Sequence, residues 1–257
     1  MDQNEKRIYL IRHLIDERPD KEEISIPGSE REQKMLLRGL FNVRLPAAIS
    51  DEFLEVQDEY LKEEIRKRGI TDIKDLRPVR DGLYIWQGDI TTLRCDAIVN
   101  AANSGLTGCY SPCHSCIDNC IHTYAGIRLR NSCADIIRQQ GHEEQTGLAK
   151  ITPAFNLPSR YVIHTVGPIV SGALTKQDED LLRSCYVSCL ETALENNVSS
   201  IAFCCISTGV FCFPNQRAAE IAVETVEEFR KAKNCSIEVI FNVWKDIDYE
   251  IYTRLLG

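Results

Sequence analysis

From residue 83 onward, short apolar runs alternate with longer amphipathic stretches, and that alternation predicts strands and helices in turn. Residues 83–87 (LYIWQ), 97–100 (AIVN), 161–166 (YVIHTV), 201–206 (IAFCCI) and 237–243 (IEVIFNV) read as strands, with 148–152 as a further candidate. Residues 116–140, 177–196, 215–232 and 246–256 read as helices. Strands alternating with helices imply an α/β fold whose central, largely parallel sheet is covered on both faces. Residues 1–77 follow a different pattern, dense in charge and poor in glycine. There "REQKMLLRGLFNVRLPAAI" and "DEFLEVQDEYLKEEIRKRGI" carry apolar residues at helical spacing, as in Phe53, Leu54, Val56, Tyr60, Leu61 and Ile65. Ser50 or Asp51 is placed to cap the second of these helices and Gly69 to end it. The expected organisation is a helical N-terminal extension, residues 1–77, packing on a main α/β domain, residues 78–257.

In sheets of this kind ligands bind beyond the carboxyl ends of the strands. Three polar, glycine-containing segments fall there: "GDITTL" at 88–93, "NAANSGLTGCYSPCHSC" at 100–116 and "STGVFCFPN" at 207–215. The last joins a strand to a helix. Its small residues let backbone amides approach an anion, and the helix behind it presents its positive end. The same turn serves equally well as a tight connection with no ligand.

Composition narrows the classes. A formal net charge of -8 argues against broad affinity for a nucleic-acid backbone, but leaves room for a small anion held by backbone amides. The first twenty residues open on charge and lack an apolar signal core, and no run approaches the ~18 apolar residues needed to span a bilayer. The expectation is a cytoplasmic protein with no membrane partner. In that compartment the twelve cysteines are reduced thiols rather than a disulfide framework. Cys95, Cys133, Cys185, Cys189, Cys204, Cys205, Cys212 and Cys235 are expected as small buried hydrophobes.

The loop "GCYSPCHSCIDN" departs from that pattern, with three thiols, an imidazole and a carboxylate close together. Zinc favours Cys and His, and three protein ligands leave a fourth tetrahedral position for water or substrate. Cys109, His114 and Cys116 lie on one tight loop, so closing it around an ion costs little entropy. Cys113 and Cys120 are local candidates for a fourth ligand that would close the site and make it structural. Asp118 reads as a chemical group beside the ion, the alternative being a helix cap. His122, four residues on, shares its face and is expected to be an interior histidine bonded to backbone, as is His164 in a central strand. His13 and His142 have no chemical neighbours in sequence.

Six motifs in order, "GDIT", "DAIVNAANS", "IDNCIHTYAG", "VIHTVGP", "STGVF" and "DYEIY", make about residues 80–257 resemble a macrodomain, the α/β/α fold that binds ADP-ribose. Catalytic macrodomains usually carry a run of glycines after NAANS. The "GCYSPCH" and "SCIDNCIH" found here instead resemble a narrower group, the zinc-dependent macrodomains, which are microbial protein-ADP-ribose hydrolases with an N-terminal helical extension. The resemblance implies a three-layer α/β/α macrodomain with a mostly parallel, mixed central sheet. It implies that Asp89 accepts a hydrogen bond from the adenine amino group and that the Ile90 backbone touches the base. Ser207, Thr208, Gly209, Val210 and Phe211 would wrap the diphosphate and the second ribose. Asn103 and Asp118 would flank the distal ribose as catalytic residues, and Cys109, His114 and Cys116 would hold one Zn2+ per chain. Cys113 departs from the group's pattern and leaves the ligand set open.

The implied activity is zinc-dependent removal of mono-ADP-ribosyl groups from protein side chains, with an oxygen linkage foremost. The implied partners are ADP-ribose, a mono-ADP-ribosylated protein and a sirtuin-like ADP-ribosyltransferase system. No site residue is expected from the extension. The alternative is a reader module that binds ADP-ribose without turnover, for which a structural zinc suffices. Small ADP-ribose esters would use the same pocket, and the acidic balance weighs against RNA.

Overall fold

The computed structural model describes residues 1–257. Three helices come first, α1 (Gln3–Asp16), α2 (Glu30–Val43) and α3 (Asp51–Arg68). The strands are β1 (Thr71–Asp72), β2 (Leu83–Gln87), β3 (Leu93–Arg94), β4 (Ala97–Ala102), β5 (Ala149–Pro153), β6 (Tyr161–Val166), β7 (Ser200–Phe203) and β8 (Glu238–Val243). Between and after them run α4 (Ile117–Ala125), α5 (Ile127–Gln140), α6 (Lys176–Glu195), α7 (Asn215–Lys233) and α8 (Asp246–Leu256).

Six strands form one sheet in the order β2-β8-β7-β4-β6-β5. All neighbours are parallel except the edge strand β5, which runs antiparallel to β6. The candidate strand at 148–152 is therefore the element that makes the sheet mixed. Helices cover both faces, so β4, β7 and β8 are buried almost throughout, as continuous apolar runs require. β1 and β3 form a separate two-residue ladder.

The apolar interior falls into two clusters. The larger surrounds the sheet and includes Ile98, Val99, Ile163, Tyr186, Phe203 and Phe241. The smaller joins the first three helices through Leu10, Ile11, Leu14, Leu37, Phe41 and Phe53. They interlock, because Ile65 of α3 belongs to the larger and Ile127 of α5 to the smaller. Ser50 does cap α3, its hydroxyl accepting from the Phe53 N–H, and Gly69 ends the helix at φ 85. The first helix was not singled out from the sequence. A capping box between Asp2 and Glu5 starts it, and it buries Leu10, Ile11, Leu14 and Ile15.

Three expectations change. The single helix at 116–140 is two, because Gly126 adopts φ 89 and ψ 178, a conformation that ends α4. Gln57 of α3 occupies the break and accepts the Ile127 N–H at 3.0 Å. The strand expected at 201–206 stops at Phe203, since the chain turns into a loop with Ser207 at φ 64. Among the cysteines expected as buried, Cys212 is exposed on that same loop, and Cys205 and Cys235 are half-buried at the margin of the core. The other five are buried, and all twelve thiols are free. No helix is long and apolar enough to cross a membrane.

Candidate functional site

The carboxyl end of β2 leads into a short turn that Asp89 caps. Its Oδ1 accepts from the Thr91 N–H at 3.0 Å and from the Thr91 hydroxyl at 2.6 Å. The other carboxylate oxygen pairs with Arg68, the last residue of α3. That guanidinium also donates to Thr91 Oγ1 at 3.2 Å and lies 4.0 Å from the centroid of the Tyr124 ring. The N-terminal helices thus place one side chain against Asp89 at this edge; no local motif marks Arg68. Ile90 is buried beneath the turn, and Asn242 of β8 donates to the Gly88 carbonyl at 2.9 Å. Trp244, just past β8, is 72% exposed and its carbonyl accepts from Gln87.

The loop after β7 presents unpaired polar groups. Ser207 is buried, its carbonyl accepts from the Phe213 N–H at 3.0 Å, and its hydroxyl has no partner in the chain. The backbone amides of Gly209, Val210 and Phe211 make no hydrogen bond within the protein, whereas Thr208 N–H reaches Cys205 O at 3.4 Å. Helix α7 begins directly behind with no side-chain cap, so its first amides add to the same positive end. Leu106, Cys113, Ser207 and Cys212, non-glycine residues on these edge loops, adopt φ of 56, 57, 64 and 56. Left-handed backbone at such residues costs ~1 kcal/mol or more each and gathers at working loops.

At the carboxyl end of β4 the structure brings together the two residues expected to be catalytic. Cys116 is the N-cap of α4, its sulfur accepting from the Asn119 N–H at 3.4 Å, so Asp118 sits inside the first turn and is not the cap. Its buried carboxylate accepts from Asn100 Nδ2 at 2.8 Å on one oxygen and from Asn103 Nδ2 at 3.2 Å on the other. Facing a carboxylate, Asn100 must present its NH2, and the second hydrogen goes to His164 Nδ1 at 3.1 Å. The His164 proton is then on Nε2, donated to Thr152 Oγ1 at 3.0 Å. A chain Thr152–His164–Asn100–Asp118 therefore crosses β5, β6 and β4 and aims the carboxylate. Burial raises the Asp118 carboxyl to about 6 against the opposing pull of Asn100, Arg130 and Asn103. Burial lowers His164 to about 3, which keeps it neutral around pH 7.

His122 is interior as expected, but without the expected bond to backbone. Neither ring nitrogen has a hydrogen-bond partner in the chain, and Nε2 stands 3.6 Å from Asp118 Oδ1. The backbone of Gly108 packs against the ring so closely that a Cβ there would collide with it. Burial, and after it the proximity of His164 and Arg130, push its pKa well below the ordinary histidine value. His122, Cys133 and His164 gather their donor atoms within 4.8 Å, a cluster the sequence did not reveal. Both His164 nitrogens are committed to hydrogen bonds, so this group reads as a polar core. His13 packs on Phe53 in the N-terminal helices, and His142 contacts the Glu143 carbonyl.

The donor atoms of Cys109, His114 and Cys116 also lie within 4.8 Å of one another, with 3.8 Å between Cys109 Sγ and His114 Nδ1. Bond lengths of ~2.3 Å to sulfur and ~2.05 Å to nitrogen at a tetrahedral angle require about 3.6 Å between those two atoms. The donor set therefore fits one ion after a small adjustment, and two thiols with an imidazole are the chemistry zinc prefers. Burial pushes the Cys116 thiol up to about 12, with Cys109 and Asp118 adding to the effect. The candidate fourth ligands point elsewhere: Cys113 Sγ donates to the Met35 carbonyl at 3.2 Å, and Cys120 Sγ contacts Arg38 at 3.5 Å.

The macro domain family model matches residues 99–222. The chain is 58% identical over 261 residues to a protein-ADP-ribose hydrolase of Treponema medium, covering all of both chains. It is 50% identical over 246 residues to a protein-ADP-ribose hydrolase of Staphylococcus aureus strain MSSA476, covering 95% of this chain and 92% of the relative. Among solved structures it is similar to the Trypanosoma brucei macrodomain in complex with ADP-ribose, at a TM-score of 0.67 and 30% identity over 90% of this chain and 97% of the other. It is also similar to the Oceanobacillus iheyensis macrodomain with ADP, at a TM-score of 0.62 and 37% identity over 70% and 93%.

Proposed function

This chain belongs to the macro domain family of protein-ADP-ribose hydrolases, and from that membership we propose that it binds ADP-ribose and, with a zinc ion, removes mono-ADP-ribosyl groups from protein side chains. The observation that carries the catalytic reading is Asp118, a buried carboxylate aimed by Asn100 and Asn103 two residues from one of three clustered metal-type donors. ADP-ribose suits the sheet edge piece by piece. Adenine is assigned to Asp89 and Ile90, the diphosphate to the free amides following Ser207 and Thr208, and the distal ribose to Asn103 and Asp118.

The reaction breaks the bond from the anomeric carbon to the side-chain oxygen and adds water across it. Positive charge develops on that carbon and negative charge on the leaving oxygen. With its carboxyl held near 6, Asp118 is mostly ionised at pH 7 and can take the proton of the attacking water. Asn103 spans Asp118 and the Gly108 carbonyl, which fixes its amide to orient the ribose hydroxyls. Binding energy from the 207–211 loop holds the anomeric carbon in place. A zinc ion on Cys109, His114 and Cys116 would supply polarisation of the leaving oxygen or of a ribose hydroxyl, or a lowered pKa for a water. A sirtuin-like ADP-ribosyltransferase is the partner activity that would install the group removed here.

The test measures ADP-ribose release from a mono-ADP-ribosylated protein alongside metal content. Cys116→Ser and Asp118→Ala are each expected to lose about 100-fold or more in rate. Full activity in zinc-free Cys116→Ser would remove the metal from the mechanism, and an unimpaired Asp118→Ala would make that carboxylate a bystander. Wild-type protein that binds ADP-ribose yet releases none from any linkage would be a reader.

A further inference from the structure

The segment 109–120 holds four thiols and one imidazole, enough to enclose an ion completely, yet only three of those donors converge. The reason lies in α2. Arg38 extends from that helix so that one guanidinium nitrogen, Nη2, spends its two hydrogens on the His114 carbonyl at 2.7 Å and Asn119 Oδ1 at 2.9 Å, with Cys120 Sγ in contact at 3.5 Å. A single nitrogen thus separates the Cys120 thiol from the backbone of a donor residue. Cys113 is restrained twice by the same helix, its N–H donating to Asn42 Oδ1 at 2.9 Å and its thiol to the Met35 carbonyl at 3.2 Å. Its left-handed backbone, φ 57, turns that side chain toward α2. Buried Asn119 then transmits the hold to the loop, its amide donating to the Ser111 carbonyl at 3.0 Å and the Cys109 carbonyl at 3.3 Å.

We propose that helix α2 fixes the number of protein ligands at the Cys109–His114–Cys116 site at three by holding the Cys113 and Cys120 thiols away from it, with Arg38 as the positioning residue. The claim rests on the zinc reading above and extends it. A closed ring of four protein donors makes zinc structural, whereas three leave a position for water or substrate. The N-terminal helices are therefore part of what keeps this site reactive. A chain that lost Arg38 would recruit Cys120 as a further thiolate and bind the ion at least as tightly while losing its open position.

Cobalt(II) loaded into the full-length protein reports this directly, because its thiolate charge-transfer absorbance grows with each coordinated sulfur. Wild type is expected to bind one cobalt through two thiolates, and Arg38→Ala to show about 1.5-fold the absorbance per cobalt, as a third sulfur joins. Arg38→Ala with Cys120→Ser should return to the wild-type spectrum. Because Arg38→Ala could disturb folding, Cys113→Ser and Cys120→Ser in the otherwise native chain provide an independent arm, and both should leave the wild-type absorbance unchanged. Loss of about a third of the absorbance in either single serine variant, or no gain in folded Arg38→Ala, would overturn the proposal. Failure of the wild type to bind cobalt or zinc at all would instead overturn the metal reading on which it stands.

Discussion

Asn100 divides its two amide hydrogens between Asp118 and His164, so one side chain sets both the direction of the carboxylate and the tautomer of the histidine. In Asn100→Ala each of those buried acceptors loses its donor, at about 1–3 kcal/mol apiece. More important for activity, Asp118 loses half of its orientation. Turnover is expected to fall about 10- to 100-fold, while the ADP-ribose dissociation constant from calorimetry moves less than about threefold. Equal losses in the two quantities would place Asn100 on the ligand instead. Trp244 makes a separate residue-level case. An indole 72% exposed beside the end of β2 is a ready stacking surface for a base at Asp89. Such stacking contributes about 1–3 kcal/mol, so Trp244→Ala should weaken ADP-ribose binding roughly 5- to 150-fold. Affinity for ribose 5-phosphate, which has no base, should not change.

At the scale of elements, Gly126 decides how a long amphipathic run becomes two helices. Its φ of 89 is open to glycine alone in practice, and a Cβ there would collide with the Gln57 amide and crowd Asn156. Gly126→Ala should therefore destabilise the protein by about 2–4 kcal/mol, read from the urea midpoint at unchanged slope. This break was not legible in the sequence, because its cause, Gln57 seated at the Ile127 N–H, lies about seventy residues upstream. The parallel strands were legible, since β2, β4, β6 and β8 read as short, largely apolar runs between polar loops. The antiparallel edge strand β5 was harder to place, being mostly half-buried and of little apolar content. The site divides in the same way. Cys109, His114, Cys116 and Asp118 are neighbours in the chain, so their spacing alone suggested a cluster. Arg38 and Arg68 reach the edge loops only through the packing of α2 and α3, and the spacing of charges along those helices says nothing of their targets.

Considered whole, the molecule has two apolar clusters but a boundary between them built of buried polar bonds. Nη1 of Arg130, on α5, shares its two hydrogens among the Phe41, Asn42 and Arg44 carbonyls at 2.9, 2.8 and 2.6 Å, closing the carboxyl end of α2. Asn42 donates to Thr123 at 2.9 Å, and ion pairs join Arg68 to Asp89 and Arg128 to Asp58. If the N-terminal helices opened alone, Arg130 and the Ile127 amide would lose their acceptors while the sheet stayed folded. Exchanging each of those bonds for one to water costs a net of about 0.5–1.5 kcal/mol, about 1.5–3 kcal/mol where the donor is charged, and the shared apolar boundary would be exposed besides. Separate melting is thereby penalised on both sides of the boundary, and one cooperative transition is expected, with a calorimetric to van't Hoff enthalpy ratio of about 1. Both tryptophans, Trp86 and Trp244, lie beyond α3, so their fluorescence follows the sheet while far-ultraviolet circular dichroism follows all eight α-helices. The two signals should coincide in the wild type. In Arg130→Met, which strips three carbonyls of their donor, the dichroism should begin to fall before the fluorescence. Early loss of dichroism already in the wild type would mean that the N-terminal helices are a loose attachment, and the hold of α2 on the Cys–His loop would then have to form only when the ligand binds.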